Sequence, residues 1–186
     1  MLDLATILER CRQGDELAWE ALVRRFQSRI YATAFHYVRD ADEARDLAQE
    51  VFVRIYQRLD SARTDGFLPW MLRVARNLCI DRLRRTKARA PLADLRVEDG
   101  VEISDGSPGA DQAWLTNARQ RLVYRALDRM SDKNREMILL KEIQGLNLQE
   151  IAQLLDAPIG TIKSRSNRAR LELAKTVLTL DPSYGA

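Results

Sequence analysis

The sequence predicts an all-α protein with two helical domains joined by a flexible acidic linker. Three observations support this: apolar residues recur at helical spacing along most of the chain, Gly and Pro are sparse, and no segment alternates as a half-buried strand would. A chain of 186 residues is long enough for one or two domains. Breaks in the periodicity divide it into a first domain over 1–88, a linker over 89–112, a second domain over 113–180 and a tail over 181–186.

The first domain is predicted to be a bundle of amphipathic helices. Its apolar residues fall into three runs with spacings of three and four, so each run lies on one face of a helix. Three such faces can close a compact core. The runs are Trp19, Leu22, Val23, Phe26, Ile30 and Ala34; then Ala44, Leu47, Ala48, Val51, Phe52, Ile55, Tyr56 and Leu59; then Phe67, Trp70, Met71, Val74, Ala75, Leu78 and Leu83.

The periodicity stops between Arg89 and Gln112, where Gly, Pro and acidic residues become common. From Pro91 to Asp111 the acidic residues are opposed only by Arg96. Such a long aperiodic stretch is uncommon inside a compact domain, so we interpret it as a linker. Helical signal then resumes over Leu115, Leu122, Val123, Ala126, Leu127 and Met130, and in a helix from about Asp132 to near Gly145.

The segment Asn147–Arg170 is predicted to form two short helices joined by a tight turn. Asn147 can cap the first helix, and Glu150 can reach back to complete a capping box. The chain breaks at Asp156, and Pro158 suits the first position of a new helix because its missing N–H costs nothing there. This layout is typical of a helix-turn-helix that lies in a DNA groove.

The second helix of that segment separates an inward face from a cationic one. Small and apolar residues recur at Ile162, Ser166, Ala169 and Leu173, so they are predicted to face the core. Arg can make bidentate hydrogen bonds to guanine edges, and Ser, Thr and Lys can hold phosphates. The predicted DNA-facing residues are Thr161, Lys163, Ser164, Arg165 and Arg168, with Arg170 on the flank.

A second basic strip lies on the third helix of the first domain. Its cations are opposed by a single acid, Asp81, and Arg73, Arg76 and Asn77 fall on the side away from the apolar run. Phosphates require cations and unstacked bases require planar partners, so this strip suits single-stranded or melting DNA. Trp70 lies on the buried run and is expected in the core. The cations are Arg73, Arg76, Arg82, Arg84, Arg85, Lys87 and Arg89.

Acidic residues cluster instead around the second predicted helix, at Asp40, Asp42, Glu43, Asp46 and Glu50 with Gln49 beside them. The early acids can simply complement the helix dipole. Asp46 and Glu50, one turn apart, could form a metal site or a docking surface for a basic partner. Docking is favoured because two carboxylates without His or further ligands at close spacing are weak evidence for a catalytic metal site. We expect these acids and the basic strip to occupy separate exterior surfaces.

The composition favours a cytoplasmic protein without cofactor, metal or membrane insertion. No apolar run approaches the roughly twenty residues needed to span a bilayer, and the net charge is a modest +3. Cys11 and Cys79 are far apart and show no metal-ligand spacing, so Cys79 is expected to be an inert core thiol. His36, beside two aromatic residues, is interpreted as structural.

Three segments taken together resemble the conserved regions of extracytoplasmic-function (ECF, group 4) sigma factors of the sigma-70 family, the small two-domain promoter-specificity subunits of bacterial RNA polymerase. They are RDADEARDLAQEVFVRIYQRL, GFLPWMLRVARNLCIDRLRR and LNLQEIAQLLDAPIGTIKSRSNRARLEL, in the order of the family and with a linker where the family has one. The resemblance covers nearly the whole chain. It implies a non-enzymatic factor that directs core RNA polymerase to promoters and assists their opening.

The resemblance also implies roles for residues that match the family's motifs. A DLxQE motif that grips the coiled coil of the largest polymerase subunit corresponds to Asp46, Leu47, Gln49 and Glu50. The helix that binds and melts the minus-ten element corresponds to Trp70–Arg85, with Arg73, Arg76, Asn77, Arg82 and Arg84 as DNA contacts, and the loop over 60–66 to the receptor of a flipped base. The reader of the minus-thirty-five element corresponds to the helix from Pro158, with Thr161, Lys163, Ser164, Arg165 and Arg168.

Three features depart from the family pattern: Arg45 interrupts the acids before the DLxQE motif, Asp156 replaces the usual glycine of the turn, and Ser166 and Asn167 are more polar than expected on the second helix. Two other functions stay open at this point. One is a free-standing regulator that uses only the helix-turn-helix, and a more distant one is a metal-dependent hydrolase built on Asp46 and Glu50. Family members commonly have anti-sigma partners, but no segment of this sequence identifies a contact surface for one.

The predicted linker is long enough for both domains to contact one promoter. Extended at about 3.3 Å per residue, the linker would span roughly 80 Å. Two turns of B-DNA measure about 70 Å.

Overall fold

The computed structural model describes residues 3–89 and 118–185. Within those ranges the regular elements are helical and no strand occurs, which confirms the all-α prediction. The predicted linker, apart from Arg89, and the predicted start of the second domain lie outside the described residues. No helix among the described residues is long and apolar enough to cross a membrane.

The first unit contains four helices in the described chain: α1 (Leu4–Arg12), α2 (Glu16–Val38), α3 (Ala41–Gln57) and α4 (Phe67–Arg89), with a 3-10 turn at Leu59–Ser61. An aspartate caps each of the first three. Asp3, Asp15 and Asp40 each accept a hydrogen bond from the backbone N–H three residues on. These bonds satisfy N–H groups that a helix start leaves without partners, and they fix where each helix begins.

The predicted apolar runs form the core of this unit. Leu22, Ile30, Ile55 and Met71 are fully buried. Tyr56 is an exception, because 55% of it is exposed although its spacing places it in the buried run; its ring packs edge-on against Trp19 at 5.0 Å. Trp70 packs against the core, as expected, and its ring lies 5.6 Å from that of Phe67.

Cys79 is completely buried on α4, and burial raises the pKa of its thiol to about 12. The acidic side chains of Glu43 and Glu50 add to that rise in the pKa of Cys79. A thiol that stays protonated is a poor nucleophile and a poor metal ligand. The interpretation of Cys79 as an inert core residue is therefore supported.

The second unit contains α5 (Ala118–Asp128), α6 (Asp132–Ile138), α7 (Leu148–Leu155) and α8 (Ile159–Leu180) within the described chain. The predicted capping box is present, since Asn147 accepts from the Glu150 N–H at 2.9 Å while the Glu150 carboxylate accepts from the Asn147 N–H at 2.8 Å. Asp156 adopts the left-handed conformation, with φ 51°, that a glycine would otherwise supply. Pro158 is the N-cap of α8, one position before the predicted one.

The predicted helix from Asp132 to Gly145 is not uniformly α-helical. It widens into a π-helical turn over Leu139–Ile143, where the Gln144 N–H donates to the Leu139 carbonyl at 2.8 Å, five residues back. A π-turn inserts one residue into the helix and rotates the residues after it, and such turns are frequent at functional sites. Here the rotation buries the Gln144 side chain.

The two units pack against each other, which the sequence did not predict. Buried residues of both belong to one continuous apolar cluster, and α4 lies against α7. Polar side chains of α2, of its C-cap Arg39 and of α4 also bond to the second unit. We call these crossing contacts the seam: Arg29 with Gln144, Tyr37 and Arg76 with Glu136, Arg39 with Asp128, and Arg73 with the Gln153 carbonyl.

His36 lies beside this seam, and we expect it to make stability depend on pH. Burial, together with the charges of Arg135 and Arg39, lowers the pKa of His36 from 6.5 to about 3. The unfolded chain therefore binds a proton that the folded chain excludes, and the stabilisation present above pH 6.5 is lost as pH falls towards 3. Urea unfolding at a series of pH values should show this loss, with a slope of at most about 1.4 kcal/mol per pH unit.

Other groups titrate in the same range, so the comparison must be made with a variant. His36→Gln should unfold with a shallower dependence on pH below 6.5 than the wild-type protein. Identical slopes for the two proteins would show that His36 does not exclude a proton when folded.

Candidate polymerase- and DNA-binding surfaces

The predicted docking residues lie on α3, but not all of them reach the surface. Asp46 and Gln49 are exposed, and the Glu50 side chain is 40% exposed. Leu47 is 0% exposed because it belongs to the apolar run of α3. Its predicted role in direct contact with a partner is therefore wrong for this arrangement, and Leu47 instead anchors the helix that presents the other three residues.

Glu50 joins the acidic surface to the basic strip. Its carboxylate accepts from Arg54 at 3.0 Å and lies 3.7 Å from Arg82, which also lies 4.0 Å from Glu43. The expectation that acids and cations occupy separate surfaces is therefore wrong where α3 meets α4. These side chains are all partly exposed, so solvent screens the pairs and each contributes little stability. Asp46 carries the exposed negative charge that has no such internal pair among the described residues.

The predicted minus-ten contacts on α4 divide into two groups. Asn77, Arg82 and Arg84 are exposed. Arg73 is also exposed, but it donates to the Gln153 carbonyl of the second unit, and half-buried Arg76 donates from Nε to Glu136 Oε1 at 2.9 Å. In this arrangement Arg73 and Arg76, the cations nearest the start of α4, already donate hydrogen bonds to acceptors within the protein.

The loop over 60–66, which resembles the family's receptor for a flipped base, connects the 3-10 turn to α4. Ala62 is buried and its carbonyl accepts from Arg12 at 2.5 Å, whereas Arg63, Thr64 and Asp65 are exposed. The loop is thus anchored at one residue and open to solvent at the next three. That geometry can present polar side chains to a ligand.

The predicted face of α8 is the clearest DNA-binding candidate. Ile162, Ser166 and Ala169 are buried, as predicted. Among the described residues, no carboxylate pairs with the cations of the opposite face, although Arg170 on the flank lies 2.9 Å from Glu142. The exposed members of the face are Thr161, Lys163, Ser164 and Arg168, with Arg165 half-buried beside them.

The structure also explains a polar residue on the inward side of α8. Ser166 is buried, and its hydroxyl accepts from Lys141 Nζ at 3.1 Å. Lys141 belongs to the π-turn, so this bond ties the first half of the unit to α8. Sequence reasoning missed the seam residues Glu136 and Gln144, since an acid and an amide near the end of a helix give no sign that they will be buried.

Comparisons with known proteins show to which family the chain belongs. Residues 22–89 match Sigma-70 region 2, and residues 120–173 match Sigma-70, region 4. The chain is 31% identical over 181 residues to RNA polymerase sigma-H factor of Pseudomonas aeruginosa, covering 94% of this chain and 93% of the relative. It is 32% identical over 173 residues to the ECF RNA polymerase sigma-E factor of Escherichia coli, covering 88% of each.

The chain belongs to the ECF sigma factors. This sigma factor is therefore a protein of transcription initiation, and the two matched regions contain most of α2 to α4 and of α5 to α8. Among solved structures it resembles the sigma factor RpoE of Bartonella quintana, crystallised with the anti-sigma factor NepR, with a TM-score of 0.67 and 25% identity over 87% of this chain and 97% of that one. It also shares the fold of CnrH, solved with the cytosolic domain of CnrY, with a TM-score of 0.64 and 22% identity over 95% of this chain and 97% of that one.

Proposed function

We propose that this sigma factor docks on core RNA polymerase through α3, reads two promoter elements through α4 and α8, and helps to open the DNA between them. The observation that carries the proposal is the cationic face of α8, whose cations have no carboxylate partner among the described residues. The same chain also contains a second basic helix, α4, and an exposed acid, Asp46, on α3. Cations without internal partners can exchange their counterions for phosphates. The exposed acid repels DNA phosphates and suits contact with a basic protein partner.

The docking surface we propose consists of Asp46, Gln49 and Glu50. Asp46 and Gln49 are exposed, and Glu50 is partly exposed beside Arg54. Complementary charge of this kind speeds association and fixes the register of two proteins. The partner is core RNA polymerase, and its contact region should be basic.

The minus-thirty-five element is assigned to Thr161, Lys163, Ser164, Arg165 and Arg168 on α8. The minus-ten element is assigned to Arg73, Arg76, Asn77, Arg82 and Arg84 on α4. These roles fit a protein that acts in the cytoplasm without catalysis of its own and without a cofactor. Because one similar structure contains an anti-sigma factor, an anti-sigma factor is also a partner we propose for this chain.

Transcription with purified core RNA polymerase tests the proposal. With the sigma factor added, a genomic library should yield transcripts whose start sites follow two shared sequence elements. A free-standing regulator would instead bind specific DNA without core polymerase and would leave transcript starts unchanged. Core enzyme that produces the same starts with and without the protein would contradict the proposal.

Asn77→Ala should impair promoter opening more than promoter binding. Asn77 is exposed on α4, and we propose that its amide hydrogen-bonds to the edge of an unpaired base in the melted strand. The expected result is reduced permanganate reactivity of the melted region with a nearly unchanged gel shift of the closed complex. A promoter opened in advance by mismatches should restore transcription, and equal losses in binding and opening would contradict the assignment.

A further inference from the structure

An asparagine on α8 takes no part in the contacts described so far. Asn167 is exposed, whereas its neighbour Ser166 is buried and bonded to Lys141. Among the described residues the Asn167 amide makes no hydrogen bond, so its oxygen and its nitrogen are both available to a ligand. Asn is a weak helix former and this one caps neither end of α8, so folding of the helix does not account for it.

Asn167 lies within the span of the predicted DNA contacts. It follows Ser164 by three residues and Lys163 by four, so these side chains are neighbours on the helix surface. The buried residues Ile162 and Ala169 point away from them, towards the core. A helix that turns Lys163 and Ser164 towards a DNA groove therefore turns Asn167 towards it as well.

Small residues beside Asn167 allow the helix to come close to DNA. Gly160 and Ser164 precede Asn167 by seven and three residues, which places all three along one side of α8. A Cβ added at Gly160 would meet no atom within 4 Å, so the space outside this position is open. The Ser164 hydroxyl is turned back onto its own helix and donates to the Thr161 carbonyl at 3.0 Å. Because neither small residue holds the helix away from the bases, the short Asn167 side chain can reach a base edge.

The amide group can select one base by its pair of donor and acceptor atoms. In the major groove adenine presents an acceptor, N7, beside a donor, N6–H, and these match the nitrogen and the oxygen of a single Asn side chain. Guanine presents two acceptors, cytosine one donor, and thymine one acceptor beside a methyl group. An Asn held against any of these three leaves part of its amide without a partner, and that unpaired polar group costs free energy.

The lack of charge on Asn167 separates its role from that of the neighbouring cations. Lys163 and Arg168 can neutralise phosphates, which strengthens binding to any DNA sequence. A neutral amide releases no counterions and adds little to that general affinity. Its effect is therefore concentrated on discrimination between bases.

We propose that Asn167 is a specificity-determining residue of α8, which reads one adenine of the minus-thirty-five element through paired hydrogen bonds to N6 and N7 of that base. The inference rests on the proposed function, because it places α8 in the major groove of that element. The position under Asn167 accepts an A·T pair in one orientation and rejects the other three arrangements of bases.

Binding of holoenzyme to a set of promoters tests this contact. Each base pair of the minus-thirty-five element is changed in turn to the other three, and wild-type holoenzyme defines the preferred base at each position. With Asn167→Ala the preference for adenine at one position should fall at least about fivefold, while preferences elsewhere change less than about twofold. Asn167→Asp keeps the shape but loses the donor to N7, so it should lose the same preference. Because Asn167 is exposed, both variants should keep the helical content of the wild type.

Gln13→Ala is the matched control, since it removes an exposed amide at the end of α1. It should match the wild type at every position. An Asn167→Ala profile identical to that of the wild type, an equal loss at all positions as a phosphate contact would give, or a loss confined to a G·C pair would each overturn the inference. The proposed function would still stand if the wild-type holoenzyme transcribes from two-element promoters. A wild-type protein that supports no promoter-specific transcription would refute both.

Discussion

Reversal of the charges at Asp46 and Glu50 should nearly abolish binding to core RNA polymerase. Asp46→Lys combined with Glu50→Lys sets cations against a basic partner surface, and like charges across an interface cost several kcal/mol. A loss of roughly 3 kcal/mol corresponds to about a 150-fold weaker affinity. Co-purification with core polymerase and titration of labelled protein against core measure the effect. Both residues lie on the solvent side of α3, so the helical content should not change.

The control for this result is Glu20→Lys, the same charge reversal at an exposed position of α2. It should bind core polymerase as the wild type does. Glu50→Lys alone also disturbs the pairs with Arg54 and Arg82, so Asp46→Lys alone is the cleaner single change. If the double variant still co-purifies with core polymerase at the wild-type level, the docking surface lies elsewhere.

Arg165→Ala should weaken recognition of the upstream promoter element by about 1–3 kcal/mol, or up to about 150-fold. Arg165 lies on the outward face of α8 with no carboxylate partner among the described residues, so its guanidinium is available for a base edge or a phosphate. Binding of holoenzyme to a promoter with both elements measures this loss. Discrimination against substitutions in the upstream element should fall together with affinity, because a base contact carries sequence information and a phosphate contact does not.

Lys175→Ala provides the comparison, since it removes a cation from an exposed position of the same helix about two turns beyond the last predicted DNA contact. It should leave upstream-element discrimination intact. An Arg165→Ala holoenzyme with an unchanged footprint over that element would contradict the assignment.

The helices, and the surfaces they carry, could largely be predicted from the sequence. Capping residues such as Asn147 and Glu150 bond to each other across only three residues, so the local sequence is enough to predict where the helix begins. The inward face of α8 follows from helical spacing, and Ile162, Ser166 and Ala169 are all buried. The left-handed conformation of Asp156 could also be predicted from the local sequence, because it depends mainly on which residue occupies that position of the turn.

Contacts between distant segments could not be predicted in this way. Glu136 meets Arg76 and Tyr37, which are 60 and 99 residues away in sequence. The spacing of residues within α6 does not specify such partners. The π-turn was missed because Leu139–Ile143 has ordinary helical composition, and the Gln144 side chain that follows it bonds to α2, which is distant in sequence. Leu47 shows the converse error, since a motif match assigned a surface role to a residue whose spacing already placed it in the core.

The prediction that acidic and basic residues occupy separate surfaces was correct only in part. Asp46 and the cations of α8 lie on different helices, and each is exposed or half-buried, as expected. Glu50 and Arg82 instead meet where α3 packs on α4, because two packed helices bring their flanking polar residues together at the edge of the buried face. Docking on polymerase and binding of DNA at this edge should therefore influence each other.

A hydroxyl-radical footprint of holoenzyme on one promoter tests the central claim most directly. Reconstituted with this sigma factor, core polymerase should protect two elements about two helical turns, or roughly 70 Å, apart. Arg165→Ala should lose the upstream protection and Asn77→Ala the downstream opening, each without the other. A single protected element, or the same protection by the sigma factor without core polymerase, would contradict the account.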